Sequence, residues 1–204
     1  MLEGITAGFI ISVALLPGTV WLVNVSLSGT RRQTFATGLG FILSQFFWLL
    51  VAIPGLMMMC RYLAFLRAGM HFFAAFVLVY MAIRFARSRR VESLKKAEEL
   101  PSVSILFRNA FNRAFAMPMR LPMIVAVLLT TGVYINHPPV WRTVPDIMLG
   151  GLIGLMWWWG QIALLATLFV RRVPESITLR SLNRIRPFCT TLFCFLGLIA
   201  ILLI

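Results

Sequence analysis

Acidic side chains are nearly missing from this chain. Six of its 204 residues are Asp or Glu (Glu3, Glu92, Glu98, Glu99, Asp146 and Glu175), and none lies inside an apolar run. That scarcity excludes chemistry built on paired carboxylates and leaves an oxygen-ligated metal without donors. Histidine is also scarce, with His71 and His137 alone. Cys60, Cys189 and Cys194 show no paired spacing and no histidine nearby in sequence, so neither a metal site nor a disulfide framework is expected. They suit small apolar wall positions. No phosphate loop or nucleophile arrangement occurs either. An enzyme needs converging acid, base or metal groups, so the expectation is a non-enzyme without a cofactor.

Long polar segments are missing too, and what fills the chain instead is apolar. Hydrophobic residues make up 60% of it and charged residues 12%, with a mean hydropathy of +0.92. A soluble domain is about half apolar and about a quarter charged. The chain therefore reads as an integral membrane protein in contact with the lipid bilayer, with room for several spans of about 20 residues. The net charge is +13. Its basic residues sit between apolar runs, where cytoplasmic loops carry them. No basic soluble domain exists to bind nucleic acid. Glu3 and the lack of a basic segment before the first apolar run point to a retained first span rather than a removed signal peptide.

Six spans are expected, over about Ile5–Val25, Phe35–Met59, Ala68–Phe85, Phe111–Val133, Ile147–Val170 and Pro187–Ile204. Residues 87–101 form the longest polar stretch, expected as a plain linker in preference to a surface helix. The chain then divides into a first three-helix repeat over 1–86, a cytoplasmic linker over 87–107 and a second repeat over 108–204. Fifteen of the nineteen Lys and Arg fall after spans 1, 3 and 5, and three fall in the other loops. The bias of positive charge toward the inside places both termini on the outer side.

The nineteenth cation is Arg120, inside Ala116-Met117-Pro118-Met119-Arg120-Leu121-Pro122. A charge within a span costs about 3 kcal/mol on insertion scales and normally faces a polar cavity or a partner. The prolines around it remove backbone donors and break or kink the helix. The first span is interrupted similarly at Leu15-Leu16-Pro17-Gly18-Thr19, where Gly18 permits unwinding. Two broken helices in corresponding positions point to a transporter site. The spans after them match as well, with Gly38 and Gly40 then Gln45 and Trp48 in one half, and Gly150 and Gly151 then Trp157, Trp158, Trp159 and Gln161 in the other. Three spans per half invert the second half. The expected fold is all-α, six transmembrane helices in an inverted 3+3 repeat, with helices 1 and 4 broken.

The first 90 residues resemble the LysE-type amino-acid exporter superfamily, which includes the homoserine/threonine exporters. The residues that carry the likeness are Gly8, Leu16-Pro17-Gly18-Thr19, Ser28-Gly29-Thr30-Arg31-Arg32, Gly38-Leu39-Gly40, Trp48 and Gly55-Leu56. Arg186-Pro187 through Gly197-Leu198 is similar to that family's last span. Thr19 stands where the family has the second proline of Pro-Gly-Pro. Met117-Pro118-Met119 stands where it has Asn-Pro-Lys, with Arg120 one place later. The resemblance implies a bacterial inner-membrane protein that exports amino acids or similar small zwitterions, with use of the proton gradient.

On this reading Arg120 would hold a substrate carboxylate through paired hydrogen bonds, and the alternative is an arginine snorkelling to the headgroups. Pro17, Gly18, Met117 and Pro118 would form the helix breaks at the site. Thr19, Asn24, Gln45 and Gln161 could bind an amino group, or could bond helix to helix. Trp48 and Trp158 could wall the cavity, or belong to an interfacial belt. His71 is a candidate proton carrier, since an imidazole titrates near physiological pH, though a lone histidine near a helix end also serves structure. The glycine faces of spans 2 and 5 would permit a homodimer. Two other functions stay open: a transport-inactive interaction or assembly protein on a transporter-like fold, and a metal-ion exporter, for which no ligand cluster is present in the sequence.

Overall fold

The computed structural model describes residues 1–62, 67–94, 100–117, 119–132, 142–170 and 172–203, and of 60–62, 67 and 68 the backbone alone. Pro118, His137 with its two prolines, Lys95 to Glu99 and Arg171 lie outside the described residues. Among the described residues there are eight α-helices and no strand: α1 (Leu2–Val13), α2 (Leu16–Ser28), α3 (Arg31–Tyr62), α4 (Arg67–Arg87), α5 (Val103–Phe115), α6 (Arg120–Thr130), α7 (Val144–Phe169) and α8 (Glu175–Leu202). Helices α3, α4, α7 and α8 are long and apolar enough to cross a membrane. The pairs α1–α2 and α5–α6 pass the same test jointly but bend by 70° and 72°. Counting each bent pair as one span gives six.

The breaks differ from the expected ones in a way that follows from proline chemistry. Pro17 does not interrupt a helix; it sits in the first turn of α2. A missing N–H costs nothing there, because that donor has no intrahelical acceptor anyway. Gly18 is helical and donates to the Leu15 carbonyl at 3.0 Å. The unwound residues are therefore Ala14 and Leu15, upstream of the Pro-Gly pair. Pro122 likewise lies in the first turn of α6, behind a break that ends at Met119.

Helix α3 contains Pro54, as the expected span did, but another boundary moves. Helix α8 begins at Glu175, well before the expected start at Pro187, which it contains. Pro174 precedes it and Glu175 complements the positive end of its dipole. Arg180, Arg184 and Arg186 then lie on a helix rather than in a loop. At 28 residues α8 is about 42 Å long, more than a bilayer core of about 30 Å requires.

Helix α3 starts with a reciprocal cap: the Thr30 N–H donates to Gln33 Oε1 at 2.8 Å and the Gln33 N–H to Thr30 Oγ1 at 3.3 Å. Helix α1 packs most extensively against α7, α3 against α5 and α4 against α8, while α3 and α7 meet between them. Glycine makes the first two contacts possible. A Cβ built at Gly4, Gly8, Gly150 or Gly154 would overlap a backbone carbonyl of the facing helix, and one at Gly40 would lie 2.6 Å from the Phe107 carbonyl oxygen. Four of the glycines that could have served a homodimer, Gly40, Gly150, Gly151 and Gly154, are thus filled from within the chain. Outward, Leu39, Leu43, Phe47 and Leu50 make an exposed stripe on α3, as Phe72, Phe76, Tyr80 and Ile83 do on α4. Their helical spacing suits a lipid-facing surface.

The described linker residues 88–94 are not helical, in line with a plain linker. They are tied down nonetheless. Asn183 of α8 accepts from the Val91 N–H at 2.9 Å and donates to the Val91 carbonyl at 3.0 Å. Glu175 accepts from the Leu94 N–H at 2.8 Å.

Candidate functional site

Both helix breaks open into one cavity of about 580 Å³. Ala14 of the first break and Leu16 and Pro17 just after it line it, as do Met117 and Met119 of the second and Arg120 just after it. Helix α2 then sends one face along the wall through Val20, Trp21 and Asn24, at helical spacing from Pro17. Met81, Arg84, Phe85 and Ser88 come from the end of α4, and Leu182, Asn183 and Arg186 from the first turns of α8. The cavity therefore runs from the breaks toward the end of the molecule that carries the arginine-rich segments.

Arg120 is the first residue of α6 and is 5% exposed. Its Nε and Nη2 have no hydrogen-bond partner among the described residues. A buried donor left unmade is costly, and a guanidinium presents donors in a planar fork suited to a carboxylate. The backbone adds to it. Neither α2 nor α6 has a side-chain cap at its N-terminus. The first N–H groups of a helix lack intrahelical acceptors and carry the positive end of the dipole. Two such ends at one cavity favour an anion, through the dipole more than through free donors, since Pro17 and Pro122 have no N–H and Gly18 already donates to Leu15. Met119, just before Arg120, holds φ 64° and ψ 13°, a left-handed conformation that is unfavourable for a side chain with a Cβ. Strain of this kind gathers at functional sites.

Nearer the mouth, Arg113 lies over the Trp21 ring at 5.5 Å. Arg186 donates from Nη1 to the Ser88 carbonyl at 2.6 Å. At the first break the Cys189 thiol rests 3.6 Å from the Val13 carbonyl, one of the acceptors that the end of α1 leaves over.

Of the residues picked out by sequence, Pro17, Asn24, Met117 and Arg120 line the cavity. Pro118 is outside the described residues, and the others lie elsewhere. Gln45 ties three helices together: its Oε1 accepts from Ser12 Oγ at 3.2 Å and from Trp159 Nε1 at 3.3 Å. Gly18 faces the Trp159 ring, and the Thr19 hydroxyl turns back to the Leu15 carbonyl at 3.4 Å. Trp48 stacks on Phe115 at 5.0 Å and Trp158 meets Phe9 edge-on at 5.5 Å. Gln161 is exposed on the outside of α7. His71 is buried on α4, outside the cavity lining. Among the described residues no group of His, Cys, Asp or Glu could hold a metal ion.

Sequence reasoning missed Trp21, Arg84, Arg113, Asn183 and Arg186. Trp21 was reachable from Pro17 by helical spacing. Arg186 looked like a loop charge because α8 was expected to begin later.

A family model for LysE type translocators matches residues 9–202. The chain belongs to the LysE type translocator family. No curated protein and no solved structure matches it. Members of this family are membrane exporters of small solutes, not enzymes. Its four to six candidate spans make the LysE type translocator a multi-pass membrane protein, and its cavity at the helix breaks has the dimensions of a small-molecule site.

Proposed function

We propose that this LysE type translocator exports a small carboxylate-bearing solute across a bacterial inner membrane by alternating access, with amino acids and similar zwitterions the class that the family suggests. The observation that carries the reading is Arg120, buried at the meeting point of two broken spans with two donors unmade. The carboxylate bridges those donors and the uncapped N-termini of α2 and α6.

The two halves are related as an inverted 3+3 repeat. In support, exchanging the halves turns the α1–α7 contact into the α5–α3 contact and leaves α4–α8 and α3–α7 as they are. Both termini lie on the outer side, in keeping with the clustering of Lys and Arg after spans 1, 3 and 5. The cavity then opens to the cytoplasm, the side from which an exporter loads. A second reading, a membrane interaction protein without transport, draws on one fact: the carboxylates of the described spans, Glu3, Asp146 and Glu175, all sit in the first turn of their helices and none in a span's interior, whereas proton-driven carriers often bury one.

Cells with and without the protein, fed dipeptides and assayed for intracellular amino acids, separate the two. Expression should lower accumulation, and Arg120→Ala should abolish that effect at an unchanged level of protein in the membrane. Export by Arg120→Ala at the wild-type rate would remove the carboxylate site.

A further inference from the structure

Five guanidinium groups face the cavity, those of Arg84, Arg89, Arg113, Arg120 and Arg186, and no carboxylate does among the described residues. A zwitterion needs an acceptor for its ammonium as well as donors for its carboxylate. The acceptors on this wall are neutral amides, hydroxyls and carbonyls, and several are already engaged. Asn183 spends both ends of its amide on Val91. The Ser88 carbonyl takes Arg186, and the Ser88 hydroxyl donates to the Phe85 carbonyl at 2.7 Å. The Trp21 ring, the other surface that attracts a cation, already carries Arg113. An entering ammonium meets like charge on several sides with no carboxylate among the described lining residues to offset it.

The loop charges alone would not make this case, since any cytoplasmic rim is basic. Arg120 lies at the other end of the cavity, buried and unpartnered at the helix breaks. Between rim and break the wall is apolar, with Leu16, Val20, Met81, Phe85 and Met123. Deep cation, apolar waist and basic mouth describe one kind of ligand.

We propose that the cargo is an organic anion without an ammonium group, its acid head on Arg120 and its apolar body along α2 and α4, and that amino acids are the disfavoured members of the carboxylate class. The word cargo rests on the transport reading; the binding preference does not. The mouth arginines steer the anion inward.

Phenylpropionate, phenylalanine and phenylethylamine share a ring and chain and differ in charged groups alone. The test titrates each onto the full-length protein in phosphatidylcholine nanodiscs, which hold no anionic lipid. Phenylpropionate should bind at least about tenfold more tightly than phenylalanine, phenylethylamine should not bind, and added salt should weaken the acid. Arg120→Gln should erase the preference and Arg120→Lys should keep part of it. The wild-type ranking decides even where a variant fails to fold. Equal binding of acid and amino acid, or binding of neither, overturns the proposal. So does loss of acid binding in phosphatidylglycerol discs, which would assign the site to a lipid headgroup. Binding of the acid without its movement through proteoliposomes would reject transport and keep the anion site. Transport of phenylalanine with no preference for the acid would do the reverse.

Discussion

Met119 and Arg120 are neighbours with opposite demands on the backbone. Arg120 starts a helix, and Met119 is held left-handed to make that start possible. The left-handed state costs a non-glycine residue about 1–2 kcal/mol. Met119→Gly should therefore raise the melting temperature of the purified protein or leave it unchanged. Met119→Val should lower it, because a β-branched side chain tolerates that conformation least. Thermal unfolding in detergent checks both. Arg120 was legible in the sequence because a lone charge inside an apolar run is conspicuous. Gln45 was noticed too, but a polar residue in a span looks the same whether it faces a ligand or a neighbouring helix. Here it joins α1, α3 and α7 through Ser12 and Trp159.

At the level of helices, glycine decides which ones touch. Gly154 brings α7 against α1 so closely that a Cβ there would overlap the Ile5 carbonyl, whereas a Cβ at Gly160 meets nothing within 4 Å. Gly154→Ala should destabilise the protein by about 1–3 kcal/mol, the usual cost of overpacking. Gly160→Ala should be neutral or stabilising, by at most about 1 kcal/mol. Comparing their unfolding midpoints distinguishes a packing contact from mere helix propensity. The sequence made these glycines visible and left their partners unassigned, since a small residue on a span suits a second copy as well as the same chain. The positions of the breaks were legible to within a turn. Their detail was not, because a proline can end one helix or open the next, and Pro17 does the second.

Over the whole molecule, the all-helical membrane character followed from hydropathy, and the six spans expected match the structure when each bent pair is counted as one. The cavity did not follow, since it draws its lining from α2, α4, α5, α6 and α8, and sequence spacing says nothing across elements. His71 is not part of that lining. His71→Gln should leave the pH profile of export unchanged while lowering stability. Loss of the pH dependence would instead make His71 the proton carrier.

The connector between the halves is clamped to one of them. Asn183 grips both backbone groups of Val91, and Glu175 holds Leu94. If the proposed alternating access holds, the strap rides with the last helix when the inner end closes, as a fastened latch and not a loose tether. Asn183→Ala should set the strap swinging, seen as faster proteolytic nicking at 88–94 with the unfolding midpoint little changed.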